Sequence, residues 1–327
     1  LEPGTYISII GKDDSSSYWT NVKKGVMQAA DDLNKELGYK GSDKIKVTYN
    51  APAKSEDIDE QVNILDEELS RYPDAVGIAS IDSAACSVQF DLATANGIPV
   101  ISLDSGNEYK GIQCIVKTDN EDAARTGAYK LANEIGDEGQ VILVVHDSNS
   151  ETAKERVKSF EEEIKNNYPS VSIVETIYCD KLDDLKKKIA VEKDPNISED
   201  LQKAAVEKMT DDEVMQHYLK KYPDLKGVFG TNESSTIFAL EALQKTELAG
   251  KVALVGFDIS EEQIAAMKNG EISGLVVQNP FGMGYASVVA AARTILQSGN
   301  EAVVDTGYIW VTKDNLEDES IQNMLYK

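Results

Sequence analysis

Arg71-Tyr72-Pro73-Asp74-Ala75-Val76-Gly77-Ile78 returns later in the chain as Lys221-Tyr222-Pro223-Asp224-Leu225-Lys226-Gly227-Val228. A second pair follows the first: Pro99-Val100-Ile101-Ser102-Leu103-Asp104 is matched by Ala253-Leu254-Val255-Gly256-Phe257-Asp258. The two offsets, 150 and 154 residues, are nearly equal. Self-similarity at a fixed offset marks a duplicated structural unit. Both copies carry a short β-branched run bounded by turn residues, as expected for a strand buried on both faces. Further runs of this kind are Ile7–Ile10, Ile45–Tyr49, Val141–Val145 and Val171–Ile177. Amphipathic stretches lie between them, including Val22–Leu37, Ile58–Leu69, Glu121–Ile135 and Ala153–Ile164. Regular βαβ alternation predicts parallel sheets with right-handed crossovers. The fold class is therefore α/β, with two doubly wound parallel-sheet lobes of similar design.

The duplication also predicts a site. In open α/β sheets, ligands lie beyond the carboxyl ends of the strands. The first repeat makes Asp82 and Asn232 equivalent, and the second makes Asp104 and Asp258 equivalent. Two facing lobes would bring all four onto opposite walls of one cleft. Asp and Asn are also good helix caps, and that reading stays open for Asp82, Asp104 and Asp258. Lys181–Met209 breaks the symmetry. Its dense charge, with Asp194-Pro195-Asn196 as a breaker, predicts a solvated helical insertion in the second lobe.

Composition narrows the function. Over 327 residues, 41% are hydrophobic and 28% charged, which suits a globular chain long enough for two lobes. A formal net charge of −24 repels phosphate backbones, so no nucleic-acid partner is expected. No apolar run reaches the length of a membrane span. The chain begins at Leu1 and meets its first strand run almost at once, as in a mature or trimmed sequence. Cys86, Cys114 and Cys179 form no zinc or redox motif and read as small buried hydrophobes, with a single bridge left open. Gly282-Met283-Gly284 is only a fragment of a dinucleotide loop, and neither Gly11-Lys12 nor Gly250-Lys251 has the upstream glycine of a phosphate loop. Two histidines, His146 and His217, cannot build a His-rich metal site. No cofactor, metal or catalytic constellation is expected.

Several stretches, taken together, resemble the type I periplasmic sugar-binding proteins of the ribose and galactose group. They are Ile7–Trp19 followed by Gly25, Gly97–Ser105, Thr118-Asp119-Asn120, Ala153–Phe160, Tyr222–Asn232, Val255–Asp258 and Val277–Pro280. Within that group the chain looks most like lipid-anchored members from Gram-positive bacteria. The resemblance implies a three-strand hinge, with crossovers near Lys117–Asp119, Gln278–Pro280 and Asp305–Tyr308. It places 1–117 with 279–305 in one lobe, and 118–278 with 306–327 in the other. It implies hinge closure on a monosaccharide or related small polar ligand, delivered to an ABC permease or presented to a chemosensory receptor. The implied setting is the extracellular face of the cell membrane, through a removed lipid anchor, or the periplasm, as a monomer.

The resemblance also assigns roles residue by residue. Tyr18 and Trp19 would stack on the apolar face of a pyranose. Asp104 would accept from two hydroxyls, and Arg156 would grip ring and hydroxyl oxygens. Asn232, Asp258 and Gln278 would complete the polar wall. Two departures narrow the ligand. Ser105 stands where the ribose group has arginine, and Cys179 stands where an aromatic is expected. Lys12 is similar to the lysine of rhamnose- and autoinducer-2-type members. The alternatives are the effector domain of a lac-repressor-type regulator, which would need a DNA-binding headpiece of about 60 residues upstream, and an autoinducer-2-type receptor.

Overall fold

The computed structural model describes residues 1–326. Strands and helices alternate from the start: β1 (Tyr6–Ile10), α1 (Ser17–Leu37), β2 (Lys46–Asn50), α2 (Ile58–Leu69), β3 (Ala75–Ile78), α3 (Ser87–Ala95), β4 (Val100–Leu103) and β5 (Ile115–Lys117). The second run is α4 (Asn120–Glu134), β6 (Gly139–Val145), α5 (Glu151–Asn167), β7 (Val171–Tyr178), α6 (Leu182–Lys193), α7 (Glu199–Lys208) and α8 (Asp211–Lys221). It continues through β8 (Leu225–Gly230), α9 (Glu233–Lys245), β9 (Ala253–Phe257), α10 (Glu261–Lys268) and β10 (Gly274–Gln278). The chain closes with α11 (Pro280–Ile295), β11 (Val303–Asp305), β12 (Tyr308–Val311) and α12 (Glu319–Gln322).

The strands form two six-stranded sheets, in the orders β11-β5-β4-β3-β1-β2 and β12-β10-β9-β8-β6-β7. The repeated segments fall at matching places. β3 and β8 hold the same sheet position, as do β4 and β9. All pairings are parallel except β10 with β12, which is antiparallel. In each sheet the order reverses around one strand, β1 or β6, the switch point at which α/β sheets open a crevice.

The chain passes between the sheets three times: from β5 to α4, from β10 to α11, and from β11 to β12. α11 follows a strand of the second sheet but packs on α1, β1, β3 and β4 of the first. Asn279 caps it by accepting from the Gly282 N–H, and Pro280 sits at its first turn, where no N–H is needed.

The α1–α11 contact is unusually close. A Cβ on Gly25 would lie 2.0 Å from the Phe281 carbonyl oxygen, and one on Gly284 2.0 Å from that of Val22. Glycine is required at both positions because the two backbones touch. This packing fixes the start of α1, which carries Tyr18 and Trp19.

The segment 181–209 is helical and solvated. α7 buries none of its residues, while α6 buries Leu182, Ile189 and Ala190. All three cysteines are free thiols; Cys86 and Cys114 are buried and Cys179 partly so. Among the described residues no helix is long and apolar enough to cross a membrane.

Candidate functional site: a cavity between the lobes

Between the carboxyl ends of the two sheets lies a cavity of about 340 Å³. Eight of the ten residues singled out from the sequence line it: Lys12, Tyr18, Trp19, Asp104, Arg156, Asn232, Asp258 and Gln278. Asp104 follows β4 and Asp258 follows β9. Both adopt a left-handed backbone, with φ of 62° and 71°. Each donates its N–H to the neighbouring strand in the same way, Asp104 to the Val116 carbonyl at 2.7 Å and Asp258 to that of Val276 at 2.8 Å. Non-glycine residues in this region are sparse, and such strain gathers at binding sites. The duplication has placed the same bent carboxylate on both walls.

Gln278, at the end of β10, joins the walls. Its Oε1 accepts from Thr118 Oγ1 at 2.7 Å and from Arg156 Nη2 at 3.0 Å, and the Tyr18 hydroxyl lies 3.5 Å away. Its Nε2 donates to Asp258 Oδ1 at 2.7 Å. Asp258 Oδ1 also accepts from the Tyr326 hydroxyl at 3.0 Å, and Asp258 Oδ2 from the Glu233 N–H at 3.0 Å. Arg156 is held by Asn120 Oδ1 and the Thr231 carbonyl, with its guanidinium 4.1 Å from the Phe257 ring centre. The protein's own groups hold this fork in place, which limits the side-chain entropy a ligand contact costs.

On the first lobe, the N-cap Ser16 starts α1 by accepting from the Trp19 N–H, which sets Tyr18 and Trp19 in the first turn. Their rings meet edge to face at 5.2 Å. The Tyr18 hydroxyl donates to Asp104 Oδ1 at 2.6 Å. Burial, reinforced by the Asp104 charge, drives that phenol well above its usual pKa, so it stays a donor. Lys12 Nζ stands 3.8 Å from Asp104 Oδ2.

Two sequence candidates lie off the wall. Asp82 caps a turn instead: its Oδ1 accepts from the Ala84 and Ala85 N–H groups at 2.8 Å. The repeat misplaces it because the segment after β3, residues 79–86, is longer than the two residues between β8 and α9. Its repeat partner Asn232 serves both roles, capping α9 and lining the cavity. Ser105 is fully buried behind Asp104 and accepts from the Thr152 N–H at 3.4 Å across the cleft.

The sequence reading missed the acidic and aromatic groups added by two other stretches. Ser55 and Glu56 come from the loop after β2. Glu233, Ile237 and Glu241 form a stripe along α9, with Phe238 beside it. Their spacing of four after a capping Asn was the available signal. His146 also lines the cavity, and burial keeps its imidazole far below its ordinary pKa and neutral.

The lobes are closed on one another. Lys12 Nζ donates to Thr152 Oγ1 at 3.4 Å, Ser17 Oγ to Glu233 at 3.2 Å, and Lys154 Nζ to Ser83 Oγ at 3.1 Å. Closure buries carboxyls. Burial, aided by Asp147 and Asp180 and opposed by Lys12, raises Glu56 to about 8. Burial, aided by Asp258 and Asp13 and opposed by Ser17, raises Glu233 to about 7. A group whose pKa is higher in the closed form makes closing take up protons. Its contribution is full below the ordinary carboxyl range and is lost as pH rises through about 7 to 8. Small-angle scattering without ligand should therefore give a smaller radius of gyration at pH 5 than at pH 9. Equal radii would refute the linkage.

Comparison with known proteins gives the family and the fold. The family model described as "Periplasmic binding protein domain" matches residues 7–300. The ribose import binding protein of Haemophilus influenzae is 25% identical over 88% of this chain and 84% of its own length. A carbohydrate transporter solute-binding protein from Agrobacterium radiobacter, solved with D-arabinose, is 28% identical, covers 98% of both chains and superposes with a TM-score of 0.81. A solute-binding protein from Agrobacterium vitis, with bound D-fucose, is 26% identical with a TM-score of 0.80, over 98% of this chain and 100% of that one. Among the described residues no group of His, Cys, Asp and Glu is arranged to hold a metal. The chain thus belongs to the periplasmic binding protein domain family, with the two-lobed type I fold, and is a binding protein rather than an enzyme.

Proposed function

We propose that this protein is the solute-binding component of an ABC transporter and that it traps one monosaccharide between its lobes. The observation that carries this reading is the cavity wall: the Tyr18 and Trp19 rings on one side, and the fixed Arg156–Gln278–Asp258 network on the other. Sugar rings present apolar C–H faces and a rim of hydroxyls, which suit flat rings and charged acceptors or donors. Related proteins are described as a ribose import binding protein or as solute-binding proteins solved with sugars.

Mechanistically, a ligand touching both walls has more contacts in the closed form than in the open one, and that difference drives closure. The three inter-lobe connections supply the hinge. An ABC permease reading the closed form, work outside the cytoplasmic membrane, a lipid anchor and a monomeric state belong to the same proposal. The residues proposed to contact ligand are Lys12, Tyr18, Trp19, Asp104, Arg156, Asn232, Asp258 and Gln278.

The test is a thermal-shift screen of pentoses, hexoses and their amino derivatives, followed by calorimetry of the hits. Saturable one-to-one binding of a monosaccharide supports the proposal, and no response to any sugar rejects it. Trp19→Leu should weaken the binding so found by about 1 kcal/mol, roughly fivefold, because a flat ring is lost. Leucine is chosen over alanine because Trp19 also packs in the core of its lobe. Unchanged affinity, measured by the same calorimetry, would remove Trp19 from the site.

A further inference from the structure

The cavity wall carries more negative charge than its cations balance. Six carboxylates, those of Asp13, Glu56, Asp104, Glu233, Glu241 and Asp258, face only Lys12 and Arg156. Both cations are already engaged, Lys12 with Asp104 and Thr152, and Arg156 with Asn120, Thr231 and Gln278. Asp13 is satisfied by the Ser15 and Ser16 N–H groups and the Ser55 hydroxyl. Asp258 is satisfied by Gln278, Tyr326 and the Glu233 N–H.

Glu233 differs from these. It accepts from the Ser17 hydroxyl and the Tyr18 N–H, and the charges acting on it, Asp258 and Asp13, are both negative. Asp104 offers a second acceptor on the cavity wall. The residue is 6% exposed, its Oδ1 is taken by Tyr18, and its Oδ2 has only Lys12, at 3.8 Å, beyond hydrogen-bond reach. That oxygen is open to a donor arriving in the cavity. Trp19 and Phe238 each bring an aromatic ring to the cavity, one from each lobe, and such rings attract an ammonium.

We infer that the natural ligand is an amino sugar, its ring against Trp19 and its protonated amine beside Glu233. This rests on the reading of the cavity as a monosaccharide site. Burying unbalanced carboxylates is costly. Closing on a neutral sugar must recruit protons to Glu233 and Glu56, whose carboxyls rise to about 7 and about 8. An ammonium brings the missing charge with the ligand. A sugar acid would add to the repulsion instead.

Isothermal titration of the whole chain at pH 6.5 tests this inference. The probes are D-glucosamine, D-galactosamine and D-mannosamine, their neutral parents, their N-acetyl derivatives, and D-ribose, D-arabinose and D-xylose. One amino sugar should bind at least tenfold more tightly than its parent and its N-acetyl form. In Glu233→Gln the ratio of amino-sugar to parent affinity should fall at least tenfold. Titration in buffers of different ionisation enthalpy should show less proton uptake with the amino sugar than with the parent, a readout that a folding defect would not produce. Preference for a neutral sugar, or an unchanged ratio in Glu233→Gln, overturns the inference while leaving the sugar reading intact. Binding of no sugar at all removes both.

Discussion

Asp104→Ala lowers affinity for the cavity's ligand on the order of 10- to 100-fold, the worth of a charge-assisted hydrogen bond. Asp104 lies on the first-lobe wall with one oxygen unpaired by any close donor, so a ligand hydroxyl or amine gains a full bond there. The loss has a second component. The Tyr18 hydroxyl, kept protonated by its surroundings, would lose its acceptor and would be left to compete for Gln278. Alanine also sits poorly at a φ of 62°, which Asp and Asn tolerate better. Asp104→Asn separates these effects, since it suits the same backbone while replacing the charge and one acceptor oxygen with a neutral amide. It should still cost about tenfold. Calorimetry with the best sugar from the screen checks both variants, and wild-type affinity in Asp104→Asn would show that the carboxylate does not touch ligand.

Gly284→Ala should destabilise the protein by about 3 kcal/mol, the upper range of overpacking costs. The added methyl would lie 2.0 Å from the Val22 carbonyl, a backbone atom that no side-chain rotation can move. α1 and α11 would have to separate along their whole contact. For a lobe of roughly 150 residues that is a fall in melting temperature of about 6–12 °C. Because α1 begins with Tyr18 and Trp19, the shift should weaken binding as well. Thermal unfolding followed by circular dichroism measures the effect, and a melting temperature within a degree of wild type would contradict the close approach.

Most of the architecture was legible because a duplicated chain shows its own equivalences. The Tyr-Pro-Asp repeats aligned β3 with β8, and the Ser102-Leu103-Asp104 and Gly256-Phe257-Asp258 segments aligned β4 with β9. The same logic located Asp104 and Asp258, whose backbones proved alike. It failed at Asp82, because loop length after a strand is free to differ between copies even where the strands must match. Short hinge-side strands such as β11 and β12 were harder to see as strands. They hold only a few residues and take their structure from neighbours distant in sequence, β5 and β10. The acidic stripe on α9 was hidden for another reason. In a chain with 57 acidic residues, helical spacing alone does not separate a carboxylate facing a cavity from one facing water.

A crystal structure of the protein with its tightest-binding sugar should show that sugar in the cavity between Asp104 and Asp258, one face against Trp19 and one oxygen within hydrogen-bond reach of Arg156. Sugar bound on either lobe's outer surface, with that cavity empty, would contradict capture between the lobes.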